Sequence, residues 1–83
     1  MSMTRDALTG LILELTPLPN LGPDAIAASE ELLTGGLIDS LGLLQIVEAL
    51  ERALGKPVPP GLISVDNFNS LAAIEALQAK LAA

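Results

Sequence analysis

Three stretches of this chain repeat apolar residues at spacings of three and four, and prolines or glycines stand between them. Leu8, Leu11, Ile12 and Leu15 make the first set. Leu43, Ile46, Val47, Leu50 and Leu54 make the second, and Leu71, Ile74, Leu77 and Leu81 the third. Such spacing gathers each set into one stripe of a helical repeat, so each predicts an amphipathic helix with one face on a shared core. The punctuation agrees. Pro17 ends the first helix, predicted over 4–16, because it lacks a donor and disfavours helix in the residue before it. Gly55 is placed to cap the second, predicted over 43–54, and Pro57, Pro59 and Pro60 forbid its continuation. Asn69 or Ser70 starts the third. Leucine and alanine dominate the apolar half of the chain and Phe68 is the sole aromatic, which is helix-forming rather than strand-forming composition.

The connections are less regular. The stretch from Pro17 to Asp39 is long for so small a chain and carries Pro17, Pro19, Asn20, Gly22, Pro23, Gly35 and Gly36. Its apolar residues Leu18, Leu21, Ile26, Leu32, Leu33, Leu37 and Ile38 are too many for disorder, so much of it is expected over the core. Pro23 and Asp24 are placed to start a short helix over 25–33. Leu62, Ile63, Val65 and Phe68 predict a single helical turn, since a strand there has no second strand to pair with. The expected fold is all-α. It is a small four-helix bundle, three longer helices plus one short, with a long loop between the first two, in a single domain of 83 residues.

Several functions are closed to this composition. With no cysteine and no histidine, disulfides, thiolate or imidazole metal sites and Ser-His catalysis are excluded. Ten acidic against four basic residues give a net charge of −6, which argues against nucleic acid and anionic membrane and favours partners with basic docking surfaces. No apolar run approaches the roughly 20 residues of a membrane span, and Met1-Ser2-Met3-Thr4-Arg5-Asp6 does not read as a leader. A cytoplasmic, free-standing chain beginning at Met1 is expected, monomeric if it must visit several partners in turn.

One segment stands out: Gly36-Leu37-Ile38-Asp39-Ser40-Leu41-Gly42, where the long loop meets the second helix. Asp39 and Ser40 lie where capping side chains and negative charge are favoured, and capping alone accounts for either. Yet the apolar loop presents Ser40 at a defined position, at the positive end of a helix dipole suited to a phosphate. Leu41 and Leu44 fall away from the core stripe, beside Gln45, Glu48 and Arg52, where they either form a docking face or lie under the long loop. The segment also lacks the first glycine of a nucleophile elbow, so Ser40 is expected to be acted upon rather than to act. Gly42 either costs stability or lets a partner approach closely. Glu30 and Glu31 read as solvated, and Gly35 and Gly36 serve the turn into the helix.

The segment from Glu30 to Leu77 resembles an acyl or peptidyl carrier protein. The resemblance rests on Asp39-Ser40-Leu41, on Gln45-Ile46-Val47 and Ala49-Leu50-Glu51 after it, on Val58-Pro59, and on Phe68-Asn69-Ser70-Leu71 at the last helix. It implies a non-enzymatic, four-helix carrier with 4′-phosphopantetheine attached to Ser40 from coenzyme A. Asp39 and Leu41 flank that attachment, and Leu41, Leu44, Gln45, Glu48 and Glu51 form the docking face. It also implies a phosphopantetheinyl transferase, a loading acyl or aminoacyl ligase and a downstream transferase or synthase as partners. Cargo would travel as a thioester, within reach of Leu44, Val47, Leu62 and Ile63. Gly42 and Gln45 stand where fatty-acid carriers place carboxylates, and Arg52 adds positive charge, while Asp39, Glu48 and Glu51 remain. The segment around Ser40 is similar to the D-alanyl carrier protein and other stand-alone carriers of specialised lipid or secondary-metabolite biosynthesis. An alternative from another class is an unmodified helical adaptor that docks through Leu41 and Leu44.

Overall fold

In a computed structural model that describes residues 2–82, all three long helices form. The first, α1, spans Arg5–Leu15 and is capped by Thr4, whose Oγ1 accepts from the Ala7 N–H at 3.1 Å. It stops where expected: Thr16 donates back to the Ile12 carbonyl and then turns extended, the conformation Pro17 requires. The second long helix, α3, spans Ser40–Leu54 and ends at Gly55, whose φ of +71° is left-handed. The last, α5, spans Leu71–Ala82, with Ser70 Oγ accepting from the Ala73 N–H at 3.0 Å. Two short helices complete the set, α2 over Pro23–Ala28 and α4 over Val65–Phe68, with a 3-10 turn at Pro60–Leu62 before α4. No strand occurs among the described residues.

The helices meet as their stripes demand. α1 packs on α2, α3 and α5, α3 packs on α5, and α4 packs on α5. Leu8 and Ile12 of α1, Ile46 and Leu50 of α3, and Leu71, Ile74 and Leu77 of α5 are buried together. The short helices and the connections fill what the long helices leave: Ile26, Leu32, Ile38, Val58 and Phe68 are equally buried. At roughly 2 kcal/mol for each large apolar side chain removed from water, these residues contribute on the scale of a whole helix.

The all-α bundle forms as expected, with two short helices beside the three long ones. Several boundaries need correction. The first short helix begins at Pro23 and ends at Ala28, not at residue 33. Ser29 turns extended and its Oγ accepts from the Glu31 N–H, while the Leu32 N–H goes to the Asn69 carbonyl instead of a helical partner. Leu18 is exposed rather than tucked over the core, and so is Val65. The helix predicted over 43–54 begins three residues earlier, at Ser40.

Two contacts tie the chain's ends together. Gln78, a buried amide, accepts from the Met3 N–H at 2.7 Å and donates to the Met3 carbonyl at 3.1 Å. Arg5 pairs with Glu75, whose hydrogen bond and charge raise the guanidinium's pKa above its ordinary value. That pair is open to solvent and adds little stability. Among the described residues no helix is long and apolar enough to cross a membrane.

Candidate functional site: the front of the second long helix

The early start of α3 follows from Asp39. Its backbone is extended, its carbonyl accepts from the Leu43 N–H at 2.9 Å, and its Oδ1 accepts from the Gly42 N–H at 2.7 Å. These are the bonds of an N-cap, and they make Ser40 the first helical residue rather than the cap. Ser40 is exposed, and its hydroxyl has no hydrogen-bond partner among the described residues. The backbone N–H groups of Ser40 and Leu41 likewise have no acceptor among those residues. An open hydroxyl thus sits beside two free donors at the positive end of a fifteen-residue helix.

Gly42 explains how the loop can deliver that hydroxyl. A Cβ built there would lie 3.0 Å from Ile38 Cγ2 and 3.3 Å from Asp39 Oδ1, with Leu15 Cβ at 3.7 Å. The missing side chain makes room for the protein's own loop and for α1, so neither earlier reading of Gly42 describes it. Upstream, Gly36 has a φ of +81°, and a Cβ on Gly35 would stand 2.5 Å from the Glu31 carbonyl oxygen. Both glycines therefore serve the turn that leads to Ser40.

Beyond Ser40, Leu41 and Leu44 are 64% and 55% exposed, and no part of the long loop covers them. Gln45 and Glu48 are exposed too, at positions that share one face with the leucines. Glu51 continues that row but is otherwise engaged: its Oε2 accepts from the Val58 N–H at 2.8 Å. Val47 is buried in the core and Leu62 and Ile63 are half-buried, and no open pocket occurs among the described residues. Among the described residues no group of three or more acidic side chains converges as a metal site would need.

A family model described as the phosphopantetheine attachment site matches residues 6–77. The chain belongs to that family. Phosphopantetheine-attachment domains carry the group covalently and are carriers without catalytic activity of their own. They generally meet a phosphopantetheinyl transferase and acyl-handling enzymes. No curated protein and no solved structure matches the chain. The features at the front of α3 suit such a group: a phosphate ester needs a reachable hydroxyl and welcomes unpaired N–H donors beside it.

Sequence reasoning missed two residues that organise the domain. Asn69 was read only as a cap for α5, yet its side chain bonds to the loop before Ser40. Gln78 was not singled out, although a polar residue next to core Leu77 on α5 is a usable signal that a buried partner exists.

Proposed function

We propose that Ser40 is the attachment point of 4′-phosphopantetheine and that residues 1–83 work as one carrier domain for an acyl or aminoacyl cargo. The observation that carries this is the unpartnered, exposed hydroxyl at the first position of α3 in a chain of the phosphopantetheine-attachment family. Nothing in the chain can deprotonate that hydroxyl well, since histidine is absent and Asp39 Oδ1 is bonded to Gly42. A separate transferase supplies the base, Ser40 Oγ forms a bond to the phosphorus, and the nucleotide part of coenzyme A leaves. The free N–H groups of Ser40 and Leu41 then face the phosphodiester, and Asp39 fixes the turn that aims Ser40 outward. When attached, the arm supplies a terminal thiol that holds cargo as a thioester.

Leu41, Leu44, Gln45 and Glu48 form the face by which partner enzymes dock, apolar at its centre and weakly acidic at its edge. Gln45 and Gly42 leave it short of charge by the standard of fatty-acid carriers. That favours a specialised pathway with its own ligase and downstream transferase or synthase, because charge complementarity sets encounter rate and specificity. Coenzyme A as donor suits a cytoplasmic site of action, and serial visits to partners suit a monomer.

The test is incubation with coenzyme A and a broad-specificity phosphopantetheinyl transferase, followed by intact-protein mass. A gain of one phosphopantetheine, lost in Ser40→Ala, is the expected outcome. An unchanged wild-type mass contradicts it and favours the adaptor reading.

A further inference from the structure

Three consecutive backbone amides in the loop before Ser40 end on one residue of another element. The Leu32 N–H donates to the Asn69 carbonyl at 2.8 Å. The N–H groups of Leu33 and Thr34 both donate to Asn69 Oδ1, at 2.8 and 3.2 Å. The Asn69 Nδ2 donates in turn to Thr34 Oγ1 at 3.2 Å. Both faces of the amide are thus used on the same turn, thirty-five residues away in sequence.

The path from there to Ser40 is short and continuous. The Leu32 carbonyl, held by its own residue's bond to Asn69, accepts from the Ile38 N–H at 2.8 Å. Ile38 is buried, and its Cγ2 fills the space that Gly42 leaves open on α3. Asp39 follows at once and caps α3 through Gly42. At the other end, Asn69 stands between Phe68, the buried last residue of α4, and Ser70, which caps α5. Asn69 is therefore the joint between the loop that aims Ser40 and the end of α4.

We infer that Asn69 is a positioning residue for the modification of Ser40: its amide holds the loop over 32–34 in the one arrangement that presents the hydroxyl to a transferase. This rests on the Ser40 reading above. Its chemistry is that of an acceptor shared by two N–H groups. An aspartate at this position keeps that acceptor, and its second oxygen can accept from the Thr34 hydroxyl in place of the Nδ2 donation, while an alanine leaves both amides without a side-chain partner.

The experiment measures transferase kinetics on the apo chain with coenzyme A, by intact mass, well below the melting temperature of every variant. Asn69→Ala is expected to lower kcat/KM about tenfold, chiefly through KM, because only a fraction of molecules then present Ser40 correctly. Asn69→Asp is expected to restore most of that loss. Gln78→Ala, which removes a buried amide whose bonds go to Met3, serves as a control for lost stability alone and is expected to leave kcat/KM unchanged.

Wild-type kinetics in Asn69→Ala overturn the inference, as does equal slowing in Asn69→Asp or in Gln78→Ala. Should Asn69→Ala not fold, amide hydrogen exchange on the wild-type chain decides. Leu32, Leu33 and Thr34 are expected to be protected together, and fast exchange at Leu33 and Thr34 overturns the proposal. Failure of the Ser40 reading looks different, because it leaves the wild-type chain unmodified or Ser40→Ala modified.

Discussion

At the residue scale, two glycines within helices have opposite roles. Gly10 lies inside α1, is exposed, and a Cβ there would meet nothing within 4 Å. Gly10→Ala should raise stability by about 1 kcal/mol, the difference in helix propensity. Gly42→Ala gains the same propensity but forces a methyl against Ile38 Cγ2, on a branched side chain with no free space, and against the capping oxygen of Asp39. Overpacking of that kind costs about 1–3 kcal/mol, so the net change should be a loss of roughly 1 kcal/mol. Denaturant midpoints of the two variants, shifting in opposite directions, check the pair. Sequence alone does not tell the two glycines apart in this way, because the close approach of Ile38 is a tertiary fact that no local pattern records. Ser40 was easier to read. Its neighbours Asp39 and Leu41 and the stripe behind it mark the front of a helix, and only the identity of the cap, Asp39, had to come from the structure.

At the element scale, Glu51 shows how an exposed row can serve the fold instead of a partner. It stands on α3 in register with Leu44 and Glu48, and the family resemblance placed it on the docking face. Its carboxylate instead receives the N–H of buried Val58 and anchors the segment after Gly55. Glu51→Ala should cost about 1–3 kcal/mol by leaving that N–H unpaired, whereas Glu51→Gln keeps an acceptor and should cost less. Neither should slow the transferase at temperatures where the variant is folded. Thermal melts and modification rates, measured on the same samples, separate the structural role from a docking one. The long helices were legible because Leu8 and Ile12, Ile46 and Leu50, and Ile74 and Leu77 each repeat on one face. The end of α2 was not, since Ser29 turns extended and Leu32 beyond it bonds Asn69, a partner far away in the chain. α4 is a single turn held by Phe68, and only its apolar density marked it.

At the scale of the whole molecule, a net charge of −6 acts together with an apolar face at the front of α3. Attraction to a basic partner is then long-range, and the contact itself is short-range and apolar. The apparent KM of the chain for its transferase should rise several-fold, about threefold or more, between low salt and roughly 0.5 M salt, as screening shortens the reach of the field. A Leu44→Asp variant should bind more weakly at every salt concentration, because the loss there is of buried apolar area. Titration of the rate against ionic strength distinguishes the two. Composition excludes disulfides and histidine chemistry from the sequence alone, charge argues against nucleic acid, and the family match agrees with the carrier reading.

The chain has five serines, and one of them, Ser40, is expected to carry the group. Ser29 and Ser70 each spend the hydroxyl oxygen on a local backbone N–H, while Ser40 offers its own to solvent. Proteolysis and fragment-ion mapping of the chain, after treatment with coenzyme A and the transferase, locates the added group. It should lie on Ser40 alone; phosphopantetheine on any other residue would contradict the account.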